Sequence, residues 1–398
     1  MAARIKIGFV DLSSIEDRSV SSGVPFSAAA ALNKWCGDVV ELGPFPPSEH
    51  RPLRYRMCNQ MAWTSLRQTL YWDYSRPCIA EWARRIQDSL ERSSCDILFA
   101  AERSRWAVAL LKSAKPIVVL TDSTMRSIRK MGGYFIDDLP ALQVARATHV
   151  ERALFRRASA ILATSAWCLD SVVNDYGISP DRVTLAPFGA NVLRHEVPVG
   201  NSARRCQSSD ACRLLWVGDN WLRKGGDQAL LIRNELEKLG IRAHLTLVGS
   251  DKGPSVENPR VRTVGPLRKG NPHEARQFWE FFRTSDFYIL PTRGETFGIG
   301  CAEASAFGLP TIAPALGPIP EVVRDDVNGI LVAPHATPSE YARRIAELHG
   351  DPERYRRLSE GGRMLFETVH NWDVWGQRAN QVLTNLGQGL PREQPQVR

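Results

Sequence analysis

The segment DFYILPTRGETFGIGCAEASAFGLP, residues 286–310, decides the fold that we predict for this chain. It begins with an apolar run, passes through the turn TRGETFG and continues into IGCAEASAFG, a run of small residues with helical character. An apolar strand that leads through a short loop into a helix is the unit from which parallel sheets covered on both faces are built. The segment therefore predicts an α/β fold.

Further apolar runs on both sides of this segment predict two such sheets in one chain. The runs in the first half are IKIGFV (5–10), DILFA (96–100), PIVVL (116–120), SAILAT (159–164) and RVTLAP (182–187). Those in the second half are RLLWVG (213–218), HLTLVG (244–249), VRTVG (261–265), DFYILP (286–291), PTIAP (310–314) and NGILVAP (328–334). Because segments with helical periodicity separate the runs, we expect two doubly wound, Rossmann-like domains in tandem.

The domain boundaries follow from the places where this alternation breaks. We expect an N-terminal domain over residues 1–190, a polar linker over 191–212 and a second domain over 213–370. A Trp-bearing helix over 371–386 is expected to cross back to the first domain, and a disordered tail over 387–398 is expected to follow it. Two doubly wound domains that face each other enclose a central cleft at the carboxyl ends of their strands, where such sheets bind ligands.

The composition is that of a folded globular protein, since 43% of the 398 residues are hydrophobic and 24% are charged. The sequence shows no secretory signal and no run of about 18 apolar residues, which argues against a membrane-spanning helix. The eight cysteines form no C-x-x-C pair and no zinc-type cluster, so we expect reduced thiols in a cytoplasmic protein. A net charge of +8 favours anionic partners such as nucleotide diphosphates or anionic lipids. No RNA-binding motif with interleaved aromatic residues accompanies it, so we expect no nucleic-acid partner.

Two glutamates in the opening segment are the first candidates for a site. Glu295 falls in the loop after the strand, and Glu303 lies about a turn and a half into the helix. The amides of Thr296, Phe297 and Gly298 approach the helix start, where free N–H groups and the positive end of the helix dipole suit a diphosphate. The two carboxylates would flank this anion site and accept hydrogen bonds from neutral hydroxyls.

Two glutamates at this spacing are usually solvated, so the spacing alone carries little weight. The neighbours of Glu303 change that assessment, because Ala302, Ala304, Ser305 and Ala306 form a helix too apolar and too small in its side chains for a surface position. The glutamate also follows an apolar strand. This context favours a buried, functional carboxylate.

The segment and its flanks resemble the retaining GT-B glycosyltransferases marked by E-x7-E, which are glycosyltransferase family 4-like, group 1 enzymes and include many bacterial mannosyl- and glucosyltransferases. The matching stretches of the second domain are LLWVGDNWLRKGG (214–226), LTLVGS (245–250), the block over 284–323 and DDVNGILV (325–332). A looser match covers 158–191 in the first domain. The resemblance implies the GT-B fold, in which two Rossmann-like domains face a central cleft.

The resemblance also implies roles for the donor-side residues. It assigns Glu295 to the donor sugar and Glu303 to the ribose, and it aligns Lys224 with a lysine that neutralises the leaving diphosphate without a metal. One position departs from the family, since Asp219 follows Gly218 where many members have arginine. Arg223 is the candidate that replaces this arginine.

The first domain contributes two further candidates. Gly23 lies in the loop SVSSGVPF, residues 19–26, and can let the backbone approach the diphosphate from the opposite wall. Asp122 stands in PIVVLTDSTMRS, residues 116–127, where many family members place a histidine. Asp122 would orient or deprotonate the acceptor hydroxyl, or it would cap the next turn. No histidine has a position that suggests catalysis.

The resemblance predicts a retaining glycosyltransferase that moves a hexose from a UDP- or GDP-sugar to an acceptor hydroxyl, with no separate cofactor. The acceptor would be a glycan, a lipid or a small molecule. Because the first domain is rich in arginine, peripheral contact with the inner face of a membrane is compatible with the sequence. Two alternatives stay open: a nucleotide-sugar epimerase of GT-B fold, and a non-catalytic carbohydrate-binding protein suggested by Asp219 and the missing histidine.

Overall fold

A computed structural model describes residues 4–45, 57–59, 61, 71–101, 105–198, 211–250 and 258–388. In these residues the strands form two six-stranded sheets, and every strand pair is parallel. Within each sheet, helices connect most of the successive strands and cover the faces. The prediction of an α/β fold with two doubly wound domains is confirmed.

The strands are β1 (Lys6–Val10), β2 (Asp38–Glu41), β3 (Ile97–Ala101), β4 (Ile117–Thr121), β5 (Ala160–Ala163), β6 (Val183–Leu185), β7 (Ala211–Val217), β8 (Arg242–Val248), β9 (Val261–Val264), β10 (Phe287–Ile289), β11 (Thr311–Pro314) and β12 (Gly329–Val332). The helices are α1 (Val24–Trp35), α2 (Arg76–Glu91), α3 (Arg105–Val108), α4 (Met125–Met131), α5 (Ala141–Arg157), α6 (Ala166–Asp170), α7 (Gly226–Lys238), α8 (Pro272–Thr284), α9 (Ile299–Ala306), α10 (Ile319–Val322), α11 (Pro338–His349), α12 (Pro352–Thr368) and α13 (Trp372–Gln388).

The strand orders place the ligand crevice of each sheet. The first sheet runs β2-β1-β3-β4-β5-β6 and the second runs β12-β11-β10-β7-β8-β9. In the second sheet the chain winds outward in one direction from β7 and in the other from β10, so the loops after these two strands diverge. That divergence opens a crevice at their carboxyl ends, where doubly wound sheets bind ligands.

Small side chains let α9 approach its sheet closely. A Cβ atom on Gly300 would lie only 2.3 Å from the hydroxyl oxygen of Tyr288, and a Cβ on Gly362 of α12 would contact the Cα of Ser305 at 3.5 Å. The helix is therefore held between its sheet and α12, and the side chains of Ala302, Glu303, Ala304, Ser305 and Ala306 are buried. This packing positions the loop at its N-terminus.

The C-terminal helix α13 packs against α1 of the first domain. Asp373 Oδ1 accepts hydrogen bonds from Lys34 Nζ at 2.6 Å and from the indole of Trp35 at 2.9 Å. Residues 387 and 388, which we assigned to the tail, belong to this helix. The helix has a polar outer face, and its packing continues to its last turn, where Gly387 approaches Ile5. The rest of the predicted tail, 389–398, lies outside the described residues, as do residues 199–210 of the predicted linker.

None of the helices in the described part of the chain combines the length and the apolarity that crossing a bilayer requires. The cysteines in the same part of the chain are free thiols.

Candidate active site

A cleft of about 1110 Å³ separates the carboxyl ends of the two sheets, and both domains line it. A nucleotide with an attached sugar fits a cavity of this size, since pockets for ligands of that class run from about 300 to 1,000 Å³. The predicted residues that line it are Asp122, Gly218, Arg223, Lys224, Glu295, Thr296, Phe297, Gly298 and Glu303. Gly23 lies directly behind the wall, between Ser22 and Val24 that face the cleft.

Glu295 is buried in the loop after β10 and forms an ion pair with Lys224. The lysine reaches it because the loop after β7 packs tightly on the end of β10. At Gly225, whose φ is +72°, a Cβ atom would lie 1.9 Å from the carbonyl oxygen of Pro291. Burial acts to raise the pKa of Glu295, but the positive charges of Lys224 and Arg223 outweigh it and hold the pKa below its ordinary value. Glu295 is therefore a carboxylate at neutral pH.

Arg223 supplies the second cation at this end of the cleft. Its Nη1 donates to the carbonyl of Gly294 at 3.1 Å, and its guanidinium lies 4.8 Å from the ring centroid of Tyr134. Asp219 is largely exposed and approaches Arg223 Nη2 at 3.4 Å. Arg223 lines the cleft despite this contact with Asp219. It lies in the part of the site where the resemblance places an arginine.

Glu303 is buried in α9 at the wall of the cleft and forms an ion pair with Lys269. The sequence analysis did not select this lysine. Lys269 follows β9 in the stretch PLRKGNP, where an exposed turn was the natural expectation. Instead its ammonium lies 4.9 Å from the ring centroid of Phe278 and 5.0 Å from that of Trp279. Burial raises the pKa of Glu303 and the charge of Lys269 opposes that increase.

Asp122 does not cap the turn after β4, which corrects one of the two interpretations offered above. Thr124 is the N-cap of α4, and it exchanges hydrogen bonds with Ser127 in a capping box. Asp122 Oδ2 instead accepts a hydrogen bond of 2.7 Å from the hydroxyl of Thr296 on the opposite wall, and its Oδ1 accepts one from Ser123. The carboxylate thus joins the two domains beside Glu295.

The loop around Gly23, beside the cleft, has a strained backbone. Ser21 and Ser22 have φ values of +46° and +60°, and Gly23 has a φ of +93°. Asn191 Nδ2 donates to the carbonyl of Ser22 at 2.9 Å and fixes the turn. A side chain at Gly23 would also meet the carbonyl oxygen of Arg18 at 3.0 Å, so only glycine fits there without strain.

A second contact between the domains involves the stretch Gly132–Tyr134, which the sequence analysis did not select. A Cβ atom on Gly133 would lie 2.1 Å from the carbonyl oxygen of Arg293, so the two loops touch through their backbones. Tyr134 packs under Arg223, and its burial raises the pKa of its phenol to about 12. The paired glycines were the only local signal for this approach.

His149, His195 and His273 are exposed. His370 was not selected, yet it is buried at the junction of α12 and α13, and its ring centroid lies 6.1 Å from that of Phe297. Burial lowers the pKa of His370 to about 4. It is therefore a neutral packing residue behind the active-site loop at physiological pH.

Comparison with known proteins agrees with this geometry. The family described as glycosyl transferases group 1 matches residues 217–364, and glycosyltransferase family 4 matches residues 30–194. The second domain of the chain thus resembles the group 1 glycosyltransferases, and the first resembles glycosyltransferase family 4. The two matches divide between the two sheets, so each Rossmann-like domain carries its own family likeness.

Relatives and solved structures extend the likeness. A D-inositol 3-phosphate glycosyltransferase of Streptomyces bingchenggensis is 28% identical over 257 residues, which cover 61% of this chain and 56% of that protein. The chain thus spans little more than half the length of this relative. Among solved structures, sucrose-phosphate synthase from Thermosynechococcus elongatus superposes with a TM-score of 0.71 at 17% identity, covering 97% of this chain and all of the other. Anabaena HepE in complex with UDP and glucose has a TM-score of 0.64 at 15% identity, with coverage of 96% and 100%. These structures establish the GT-B fold of the chain.

Proposed function

We propose that the chain transfers a hexose from a nucleotide diphosphate sugar to an acceptor hydroxyl, with retention at the anomeric carbon and without a metal ion. The observation that carries the proposal is the group formed by Glu295, Lys224 and Arg223 at the carboxyl ends of β7 and β10. A carboxylate that can hold sugar hydroxyls and two cations that can hold a diphosphate meet there at one point of the cleft.

The donor half of the reaction needs charge stabilisation on the leaving group. As the bond from the anomeric carbon to the diphosphate breaks, its electron pair moves to the phosphate oxygen. Arg223 and Lys224 would neutralise this charge. The backbone N–H groups of Phe297 and Gly298 donate no hydrogen bond to any described residue, so they would also be available to the diphosphate. Positive groups fixed in place before the reaction stabilise such a transition state without reorganising.

The two carboxylates would hold neutral parts of the donor. Glu295 accepts hydrogen bonds from the hydroxyls of the transferred sugar, next to the breaking bond. Glu303 lies farther along α9 and accepts hydrogen bonds from the ribose hydroxyls. The different surroundings of the two glutamates support these separate roles. Lys224 and Arg223 act on Glu295, whereas Lys269 acts on Glu303.

The acceptor half would be directed by Asp122. The acceptor oxygen forms its new bond to the anomeric carbon on the face from which the diphosphate departs, and its proton is released. Asp122 faces the cleft beside Glu295 and is positioned by Thr296, so it orients this hydroxyl or accepts the proton. We extend the proposal to a glycan, lipid-linked or small-molecule acceptor used in the cytoplasm, with a lipid-linked acceptor reached by peripheral contact with the membrane surface.

A thermal-shift screen with UDP-, GDP- and ADP-sugars tests the donor half, because a ligand that binds only the native state raises the melting temperature. The sugar that binds is then incubated with candidate acceptors, and release of nucleoside diphosphate is measured. Release that requires an acceptor supports transfer. Interconversion of the donor without an acceptor would identify an epimerase, and binding without turnover would identify a non-catalytic protein.

Two substitutions connect the activity to these residues. Lys224→Met and Glu295→Gln should each lower kcat by about 10²-fold or more, the usual cost of removing one preorganised stabilising group. Lys238→Met is a matched control, because Lys238 is exposed at the end of α7 in the same domain. Full activity in both site variants would refute the proposed donor site.

A further inference from the structure

Lys269 lines the cleft, and the proposed reaction leaves it without a role. It lies in the loop between β9 and α8, and it is only 8% exposed. Burying an ammonium group is costly unless it is paired, so its position calls for a specific partner. That partner is Glu303, whose side chain is 2% exposed.

The hydrogen bonds of Glu303 show what the pair leaves available. Among the described residues, Lys269 alone donates a hydrogen bond to the Glu303 side chain, and it does so at Oε1. An ionised carboxylate has about four acceptor positions. Oε2 and the second lone pair of Oε1 therefore stay available on a side chain that lines the cleft.

Lys269 also lines the cleft, but its described contacts are with groups of the protein. Besides Glu303, it approaches the carbonyl of Ser22 in the first domain at 3.5 Å. The rings of Phe278 and Trp279 take up much of the remaining surface of the charge. Since these protein groups engage the ammonium, we expect its effect on a bound nucleotide to pass through Glu303.

We propose that Lys269 is a positioning residue, which keeps Glu303 ionised and oriented so that its free oxygen selects a ribose over a 2′-deoxyribose in the bound nucleotide. The inference rests on the proposed function, because it assumes that a nucleotide occupies this cleft. A carboxylate accepts hydrogen bonds from both ribose hydroxyls, whereas a protonated carboxyl group gives up acceptor capacity to its own proton. Without Lys269, burial would be the largest remaining influence on Glu303 and would favour the protonated form.

The pH dependence of this arrangement can be assigned to Glu303. Its charged neighbours Arg18 and Glu196 form an ion pair with each other, at 3.1 Å. Burial raises the pKa values of the nearby Tyr288 and Cys301 far enough that both stay neutral near pH 7. Glu295, the remaining acid on this stretch, is held ionised by Lys224. A pH dependence of nucleotide binding at this end of the cleft would therefore report on Glu303.

The test uses nucleotides alone, so the acceptor need not be known. Dissociation constants of UDP, GDP and their 2′-deoxy counterparts are measured by calorimetry from pH 5.5 to 8.5, for the parent protein, Lys269→Met and Lys269→Arg. The parent should prefer the ribonucleotide by about tenfold, the value of a hydrogen bond to a charged group. Lys269→Met should lose this preference, and the pH at which binding weakens on acidification should move upward. Lys269→Arg keeps the charge and should restore the parent pH profile.

The outcomes separate the inference from the function on which it rests. If neither UDP nor GDP binds the parent, the proposed donor site is wrong and the inference falls with it. If the parent discriminates and Lys269→Met discriminates equally, the positioning role is refuted while the donor site stands. If Lys269→Met weakens ribo- and 2′-deoxyribonucleotides by the same factor, Lys269 acts directly on the phosphates and the inference is also wrong. A Lys269→Met protein that does not fold leaves Lys269→Arg to decide, since a parent-like pH profile and ribose preference there support the role and their loss refutes it.

Discussion

Replacing Gly133 with alanine should hold the two domains apart and thereby remove most of the activity. The Cβ atom of alanine would lie 2.1 Å from the carbonyl oxygen of Arg293, across the contact between the domains. Protein atoms of this kind do not approach closer than about 3 Å. The loop Gly132–Tyr134 must therefore withdraw by about 1 Å from the segment that carries Glu295.

The expected effect on activity follows from that displacement. Tyr134 stacks under Arg223, and Asp122 is bonded to Thr296, so a withdrawal of the first domain disturbs both connections at the reacting centre. A misplacement of about 1 Å in an active site costs roughly 10²-fold in rate. The φ of +68° adds strain of about 1 kcal/mol for alanine. We therefore expect kcat/KM to fall by about 10²-fold and stability to fall slightly.

Gly177→Ala is the matched control. Gly177 lies in the same domain with a φ of +69°, but no atom lies within 4 Å of the place its Cβ would take. The two variants should therefore lose similar stability in thermal melts, while only Gly133→Ala should lose nucleoside diphosphate release in the transfer assay. Activity within about threefold of the parent in Gly133→Ala would show that the contact is not needed, and equal losses in both variants would trace the effect to backbone strain.

Two further predictions concern groups at the boundary of the domains. The pKa of His370 is depressed to about 4, so its contribution to stability is present above the unfolded value of 6.5 and is lost as the pH falls toward 4. Between pH 7 and pH 5, the His370→Phe protein should lose about 2 kcal/mol less unfolding free energy than the parent, as measured by urea unfolding. An equal loss in the two proteins would contradict this. Asp122→Asn keeps an acceptor for Thr296 but removes the charge, so kcat should fall by about 10²-fold or more while nucleotide affinity stays the same. An unchanged kcat would limit Asp122 to a structural role.

The sequence was most informative where local pattern and tertiary structure agree. Each of the eleven quoted apolar runs overlaps a strand. Central strands such as β3, β4 and β10 are buried along their whole length, and this burial makes their sequences continuously apolar. The missed strand is β2 (Asp38–Glu41), which is short, ends in charged residues and is only partly buried. Its alternation is too brief to distinguish it from a loop.

The parts of the site that were missed depend on contacts between distant positions. Lys269 and Glu303 are 34 residues apart, and nothing in the turn PLRKGNP indicates that its lysine packs over two aromatic rings. Gly133 and Arg293 belong to different domains, so the glycine pair shows that a close approach is possible but not which residue makes it. For Asp122 the sequence left two interpretations open, because only the three-dimensional structure shows that Thr124 takes the capping position.

The spacing of Glu295 and Glu303 was by itself a weak indication of a site, because it does not reveal the cation that each buried glutamate needs. Each glutamate is buried and so requires its own cation, and each cation comes from a different loop, Lys224 after β7 and Lys269 after β9. Arg223 contacts Asp219 at 3.4 Å, but that carboxylate lies largely in solvent and so neutralises the guanidinium only weakly. If a diphosphate binds here as we propose, it carries more negative charge than one lysine shared with Glu295 can neutralise, and Arg223 is placed to supply the rest. Under that proposal the arginine compensates for Asp219 from four residues farther along the chain.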